Sequence, residues 1–237
     1  MYVGEILKTL DRVSTGIPGL DDLIGGGFIP GRVYLISGPP GSGKTTIGIQ
    51  FLIEGAKNDE KGLYISLVDD PKIIIQDMTK YDFNILTYTK ARKVVFYDIG
   101  YNLLRLTQKL TWRELFSKMK EAIQAEKPKR IVIDSFTSME QLVADPENKR
   151  RELGNFIRAL EEMGITTLII SEMMSSDMYT DEYYLVSGVI VLHHFMRNYT
   201  MIRALQILKM RGTPHDSNMK RVKFSREGIR IYNEAPF

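Results

Sequence analysis

GPPGSGKT, Gly38 to Thr45, matches the pattern G-x-x-x-x-G-K-[ST] at every fixed position. RVYLIS (Arg32–Ser37) runs into it as a short apolar strand, and apolar Ile47, Ile49, Phe51 and Leu52 follow on a helix expected from Lys44 to about Ala56. Glycines in such a turn let successive main-chain N–H groups point inward as an anion nest. The helix start behind them adds a favourable dipole. The cradle is therefore Gly38, Pro39, Pro40, Gly41, Ser42, Gly43, Lys44, Thr45 and Thr46, with Lys44 reaching β- and γ-phosphates and the Thr45 hydroxyl ligating Mg²⁺. The cofactors expected are ATP and Mg²⁺. A metal held by one hydroxyl needs a carboxylate, and Asp134 ends the apolar strand RIVID (Arg130–Asp134), the usual setting of a Walker B aspartate.

Outward from the loop, strands and helices alternate. GLYISLV (Gly62–Val68), KVVFYDI (Lys93–Ile99), RIVID and TTLIIS (Thr166–Ser171) read as buried strands. Pro71 suits a first helical turn. Thr111 and Glu114 form a capping box for a helix whose Leu115, Phe116, Met119, Ala122 and Ile123 share a face. Asp145-Pro146 is expected to start a helix carrying Leu153, Phe156, Ile157 and Leu160 inward, ended by Gly164. From Val186 to Ile231 no helical period appears, only strand-like runs separated by turn residues. The expectation is an α/β fold, a largely parallel sheet covered by helices and extended at one edge by antiparallel hairpins. One domain over 1–237 is expected: an N-terminal segment (1–30), a core (31–172) and a hairpin region (186–237).

Composition fits this. The chain has 237 residues, 43% apolar and 26% charged, with no cysteine, which excludes disulfides and thiolate chemistry. No apolar run approaches the ~18 residues of a membrane span. The N-terminus lacks an apolar signal region, so a cytoplasmic location is expected. The net charge is +3, but from His193 to Phe237 nine Lys/Arg face three Asp/Glu, a surplus of six. Such a segment suits a phosphate-bearing partner, and a solvated basic face explains it equally well.

STGIPGLDDLIGGGFIPGRVYLISGPPGSGKTT, the IDS after the fourth strand, SEM after the fifth and KMRGTPHD near the end together resemble the KaiC-like branch of the RecA/RadA ATPases. The resemblance spans roughly Val13 to Ile231. It implies a RecA-like P-loop NTPase core assembled into a homo-oligomeric ring, commonly a hexamer, with ATP between neighbouring subunits. It also implies that the cations of KMR, Lys209 and Arg211, reach the neighbour's triphosphate. Two apart on a strand, they share a face about 6.6 Å from each other, and Arg203, Leu205 and Ile207 are expected on that face too. Such a pair clamps a polyphosphate or neutralises charge developing in transfer.

The same family carries a glutamate pair before a proline, E-E-x-P, to polarise the attacking water. SLVDDP (Ser66–Pro71) anchored on Pro71 puts Val68 and Asp69 there, with Asp70 in the variable slot. Valine neither orients water nor accepts a proton. Asp69 substitutes only if the strand has ended and the backbone turns at it; otherwise Asp69 and Asp70 bind metal-associated water or cap the next helix. The expectation is slow hydrolysis by Asp69, Asp70, Lys209 and Arg211, or none. Ser171 and Glu172 stand where such proteins sense the γ-phosphate. His193-His194 point to opposite faces and do not make a metal site alone, while His215 suits a subunit interface. The loop Met173–Tyr184 has no Lys or Arg and carries acids, which repels nucleic-acid phosphates. Three functions stand: a ring-forming, Mg-ATP-dependent switch read by a partner protein; a DNA-binding recombination paralogue; and a non-hydrolysing ATP-binding scaffold.

Overall fold

A computed structural model describes residues 11–100, 110–143, 147–172 and 180–237. In chain order the elements are α1 (Leu20–Leu23), β1 (Val33–Gly38), α2 (Lys44–Lys57), β2 (Gly62–Ser66), α3 (Pro71–Met78), α4 (Ile85–Lys90), β3 (Val94–Asp98), α5 (Trp112–Glu126), β4 (Arg130–Asp134), α6 (Phe136–Leu142), α7 (Lys149–Glu162), β5 (Thr166–Glu172), α8 (Asp181–Leu185), β6 (Gly188–Arg197), β7 (Thr200–Met210), β8 (Lys220–Ser225) and β9 (Gly228–Tyr232).

The strands form one nine-stranded sheet in the order β3-β2-β4-β5-β1-β6-β7-β8-β9. Strands β3 through β6 in that order are parallel, and β7, β8 and β9 add antiparallel at the edge. All residues of β1 are buried, as a central strand covered on both faces requires. One apolar cluster on the α2 side joins Ile47, Phe51 and Leu52 to Leu205, Ile207 and Ile229. The other, on the opposite face, joins Trp112, Phe116 and Met119 of α5 and Phe156 of α7 to Leu35, Val189 and Tyr183. No helix among the described residues is long and apolar enough to cross a membrane.

Local chemistry sets the boundaries. Thr111 Oγ1 accepts from the Glu114 N–H at 3.2 Å and Glu114 Oε2 accepts from the Thr111 N–H at 2.8 Å, so the capping box opens α5 as expected. Gly164, at φ 67°, terminates α7. Helix α7 begins later than the sequence suggests, at Lys149 behind Asn148; Asp145 and Pro146 lie outside the described residues. Strand β2 also ends early, at Ser66 rather than Val68. There the Ser66 hydroxyl donates to the Asp69 carbonyl at 2.6 Å and bends the chain off the sheet.

Strand β7 corrects another expectation. The pairing with β6 shifts between Val189 and Ile190, opposite Lys209 and Ile207, so Leu208 is an extra residue. That bulge inverts the alternation. Leu205 and Ile207 face the α2 side, whereas Lys209 and Arg211 line the opposite face with Leu208 and Val189. Arg203 therefore does not share the Lys209 face; its guanidinium lies 4.8 Å over the Phe224 ring.

Candidate nucleotide site

At the end of β1 the chain turns through the glycine loop into α2. Gly41, at φ 73°, has open space where a Cβ would stand, and Gly43, at φ 104°, is the N-cap. A Cβ on Gly43 would approach Phe224 Cζ to 2.5 Å and Ile229 Cδ1 to 2.7 Å, so the β8–β9 hairpin closes one wall of the loop. Ser42 Oγ is buried and has no hydrogen-bond partner. The Lys44 ammonium folds into the loop, donating to the carbonyls of Gly38 at 2.8 Å and Pro39 at 3.0 Å. Burial lowers its pKa, opposed by the charges of Glu172 and Asp134. Pro39 and Pro40 form the outer rim, and Thr46 is buried behind it.

Asp134 stands beside the loop because β4 carries it to the sheet end, one strand from β2 and level with Ser66. Its Oδ2 accepts the Thr45 hydroxyl at 2.8 Å and also the Tyr64 hydroxyl. Burial raises its pKa, opposed by those two hydroxyls and by Lys44, and reinforced by Asp69. An orphan hydroxyl, an open glycine rim and a hydroxyl–carboxylate pair of hard oxygens fit a magnesium-bound triphosphate. No cluster of three or more His, Cys, Asp or Glu with metal-holding geometry occurs among the described residues. The ligand phosphates would therefore complete any coordination shell.

The SLVDDP segment divides its roles. Val68 is 57% exposed. Asp70 caps α3, its carboxylate accepting from the Lys72 N–H at 2.8 Å, which is the capping role. Asp69 is exposed, past the bend made by Ser66, and near enough for its charge to raise both Asp134 and Tyr64. The condition for Asp69 to serve the site, a strand already ended, is met.

Lys209 and Arg211 are not brought to this loop. Lys209 pairs with Val189, itself level with Leu35 of β1, three residues short of Gly38, or about 10 Å along the strand. The sheet also intervenes, since both cations lie on the face opposite α2. Lys209 Nζ donates to the carbonyls of Tyr183 at 2.9 Å and Tyr184 at 3.0 Å, and Arg211 Nη2 to that of Tyr184 at 2.9 Å. With Val189 and Leu208 they line an open cleft of 410 Å³. Burial, then Arg211, lowers the Lys209 pKa to about 8.

Ser171 is buried at the end of β5, within 3.1 Å of Thr137 Oγ1 and donating to Glu182 Oε1 at 3.3 Å. Glu172 is exposed beside Lys44. His193 pairs with Gln206 at 3.1 Å, and His215 Nδ1 lies 3.1 Å from the Thr213 carbonyl oxygen. Of the loop Met173–Tyr184, residues 173–179 lie outside the described residues. Two participants are not apparent from the sequence. Tyr183, on α8, donates its hydroxyl to Ser37 Oγ at 2.5 Å. Tyr64 reads as plain core; its signal is that a buried tyrosine hydroxyl needs a partner.

A family model described as "ATPase: KaiC" matches residues 13–236. The chain is 30% identical over 235 residues to the UPF0273 protein of Thermotoga maritima, covering 94% of this chain and 96% of that one. It is 28% identical over 213 residues to the circadian clock protein KaiC3 of Synechocystis, covering 87% of this chain and 42% of the relative. The chain thus spans less than half the length of such clock proteins. The KaiC-like protein of Pyrococcus horikoshii superposes with a TM-score of 0.80 at 30% identity, covering 94% of this chain and 99% of that one. Family model, sequence relative and solved structure agree over nearly the whole chain, which belongs to the KaiC family of RecA-like ATPases.

Proposed function

We propose that this chain is a Mg-ATP-binding, ring-forming regulatory switch that hydrolyses ATP slowly and whose nucleotide state is read by a partner protein in the cytoplasm. The observation carrying it is the separation of the phosphate loop from Lys209 and Arg211 by the sheet. A chain that presents a loop at one place and a cation pair at another suits a head-to-tail contact with a copy of itself; such contacts make a ring where the rotation closes, and the family resemblance makes a hexamer the expected ring. Bound magnesium would neutralise charge on the β- and γ-phosphate oxygens.

Within the chain, the loop amides and Lys44 grip the phosphates, while Thr45 and Asp134 hold the metal. Asp69 orients water at the end of the shortened strand. It is one methylene shorter than glutamate, and misplacement of such a group costs on the order of 100-fold, which supports slow turnover. Lys209 and Arg211 of one copy stabilise charge on the triphosphate of the next. The exposed Val68 also favours a second reading, an ATP-binding scaffold without turnover. A DNA-binding role has less support. Of the C-terminal cations, Lys220, Arg221 and Arg230 are paired with Asp216, Glu234 and Glu227.

Size-exclusion chromatography with light scattering tests the reading. Mg-ATP is expected to drive the wild-type chain into a closed oligomer, and Lys44→Ala to weaken that response. A monomer under every condition refutes the ring.

A further inference from the structure

The Tyr64 side chain does something for which core packing has no use. Its ring is fully buried on β2 and lies 5.2 Å from the Phe96 ring. Phenylalanine would fill that space. The hydroxyl instead donates to Asp134 Oδ2, the same oxygen that takes the Thr45 hydroxyl. The register explains the reach. Ser66 stands beside Asp134, so Tyr64 starts two residues lower on the neighbouring strand and extends up the α2 face of the sheet.

Two donors on one oxygen have a directional consequence. Turning the Asp134 carboxylate would break the Tyr64 hydroxyl's bond to Oδ2 inside the apolar cluster on that face, leaving it the Thr45 hydroxyl as neighbour, and giving up a buried hydrogen bond to a charged group is unfavourable. The carboxylate is thus held in one rotamer before any metal arrives. Thr45, its proton committed to Oδ2, keeps its lone pairs for a cation.

We propose that Tyr64 is a positioning residue for the metal. Its hydroxyl fixes Asp134 so that the other carboxylate oxygen is presented to the hydration shell of a magnesium ion held on the triphosphate. This rests on the nucleotide site proposed above. Hydrogen bonds to metal-binding carboxylates typically govern affinity by 10–100-fold, whereas the loop amides and Lys44 grip phosphate without reference to Tyr64. Loss of the hydroxyl therefore weakens the metal's contribution and spares the phosphate grip.

The test is titration of a fluorescent ATP analogue into wild type, Tyr64→Phe, Asp134→Asn and the double variant, each in EDTA and across a Mg²⁺ series, with folding checked by thermal melting. For Tyr64→Phe the Mg²⁺ half-saturation is expected to rise about 10-fold, while affinity in EDTA stays within about twofold. The double variant is expected to match Asp134→Asn alone, because Tyr64 acts only through that carboxylate. An unchanged Mg²⁺ half-saturation, an equal loss in EDTA and in Mg²⁺, or additive losses in the double variant overturns the inference. Any of these leaves the nucleotide site standing if the wild type remains Mg²⁺-dependent. A wild type whose nucleotide affinity ignores Mg²⁺ overturns both.

Discussion

If Lys209 and Arg211 act on a neighbour's nucleotide, two dead variants must repair each other when mixed. Lys44→Ala removes the ammonium that folds into the phosphate loop. Lys209→Ala/Arg211→Ala removes the pair seated on the α8 carbonyls. Neither homo-oligomer has a complete site; loss of trans-acting cations of this type costs on the order of 10³-fold or more in turnover. A 1:1 mixture behaves differently, because each head-to-tail contact takes its loop from one copy and its cations from the next. Where the two variants enter the assembly equally, about a quarter of the contacts join an intact loop to intact cations, so phosphate release per mixed assembly should recover to about a quarter of wild type, and less where Lys44→Ala assembles poorly. Recovery within a chain is barred by geometry: Lys209 stands level with Leu35, about 10 Å along the strand from Gly38 and across the sheet from α2. The assay is slow phosphate release in excess Mg-ATP, with light scattering to establish mixed assemblies. Mixed assemblies that release no more phosphate than the sum of their parents refute the trans assignment.

Val68→Glu restores a carboxylate at an exposed position beside Asp69 and is expected to raise phosphate release at least about 10-fold; an unchanged rate means that position 68 does not face the water. Gly43→Ala combines left-handed strain of about 1–3 kcal/mol with a clash against Phe224 and Ile229 worth about 1–3 kcal/mol. Urea unfolding should show a loss of about 3 kcal/mol, and under 1 kcal/mol would mean the hairpin wall yields. Lys209, lowered to about 8, should lose its charge as pH rises through that value, so kcat/KM falls there in wild type and stays level in Lys209→Arg. The same shift affects stability with the opposite trend: between about pH 8 and the ordinary lysine value of 10.5 the unfolded chain binds more protons, so this group's contribution to stability rises with pH. Arg130→Met removes a guanidinium held by Glu60 at 2.5 Å and by the carbonyls of Ser14 at 2.7 Å and Phe51 at 3.0 Å; leaving those carbonyls unsatisfied should cost about 1–3 kcal/mol in the same unfolding assay, the half-buried Glu60 being free to hydrate.

What could be read in advance follows the range of the forces involved. The loop, α2, β4 and the α5 capping box are legible because local rules govern them: glycine conformations, a run of apolar residues, one side chain closing on a main-chain N–H three residues away. SLVDDP is not, because Leu67 and Val68 prolong the apolar pattern of β2, whereas the strand ends at Ser66, whose hydroxyl donates to the Asp69 carbonyl. KMR is legible as a cation pair but not in its orientation. An unbroken strand would put Lys209 and Arg211 on the Leu205 face, and the bulge at Leu208 answers to pairing with β6, a partner that sequence periodicity does not show. Helix α8 is too short to announce itself. Contacts distant in sequence hold it, Tyr183 on Ser37 and Asp181 on Arg150.

On the ring reading proposed above, the bulge also bears on why turnover would belong to the assembly. Without it, alternation would place Lys209 and Arg211 on the α2 face with Leu205 and Ile207, turned toward the chain's own nucleotide-binding side. One extra residue at Leu208 sends both cations to the other face, where α8 carbonyls hold them in an open cleft. On that reading each chain would grip a triphosphate with Lys44, Thr45 and Asp134 while lacking the charges that promote its cleavage. Deleting Leu208 to restore even alternation should therefore leave Mg²⁺-dependent nucleotide binding within about threefold of wild type and abolish complementation in the mixed assembly. A Leu208 deletion that folds and still complements would mean that the direction of these cations is set by something other than the bulge.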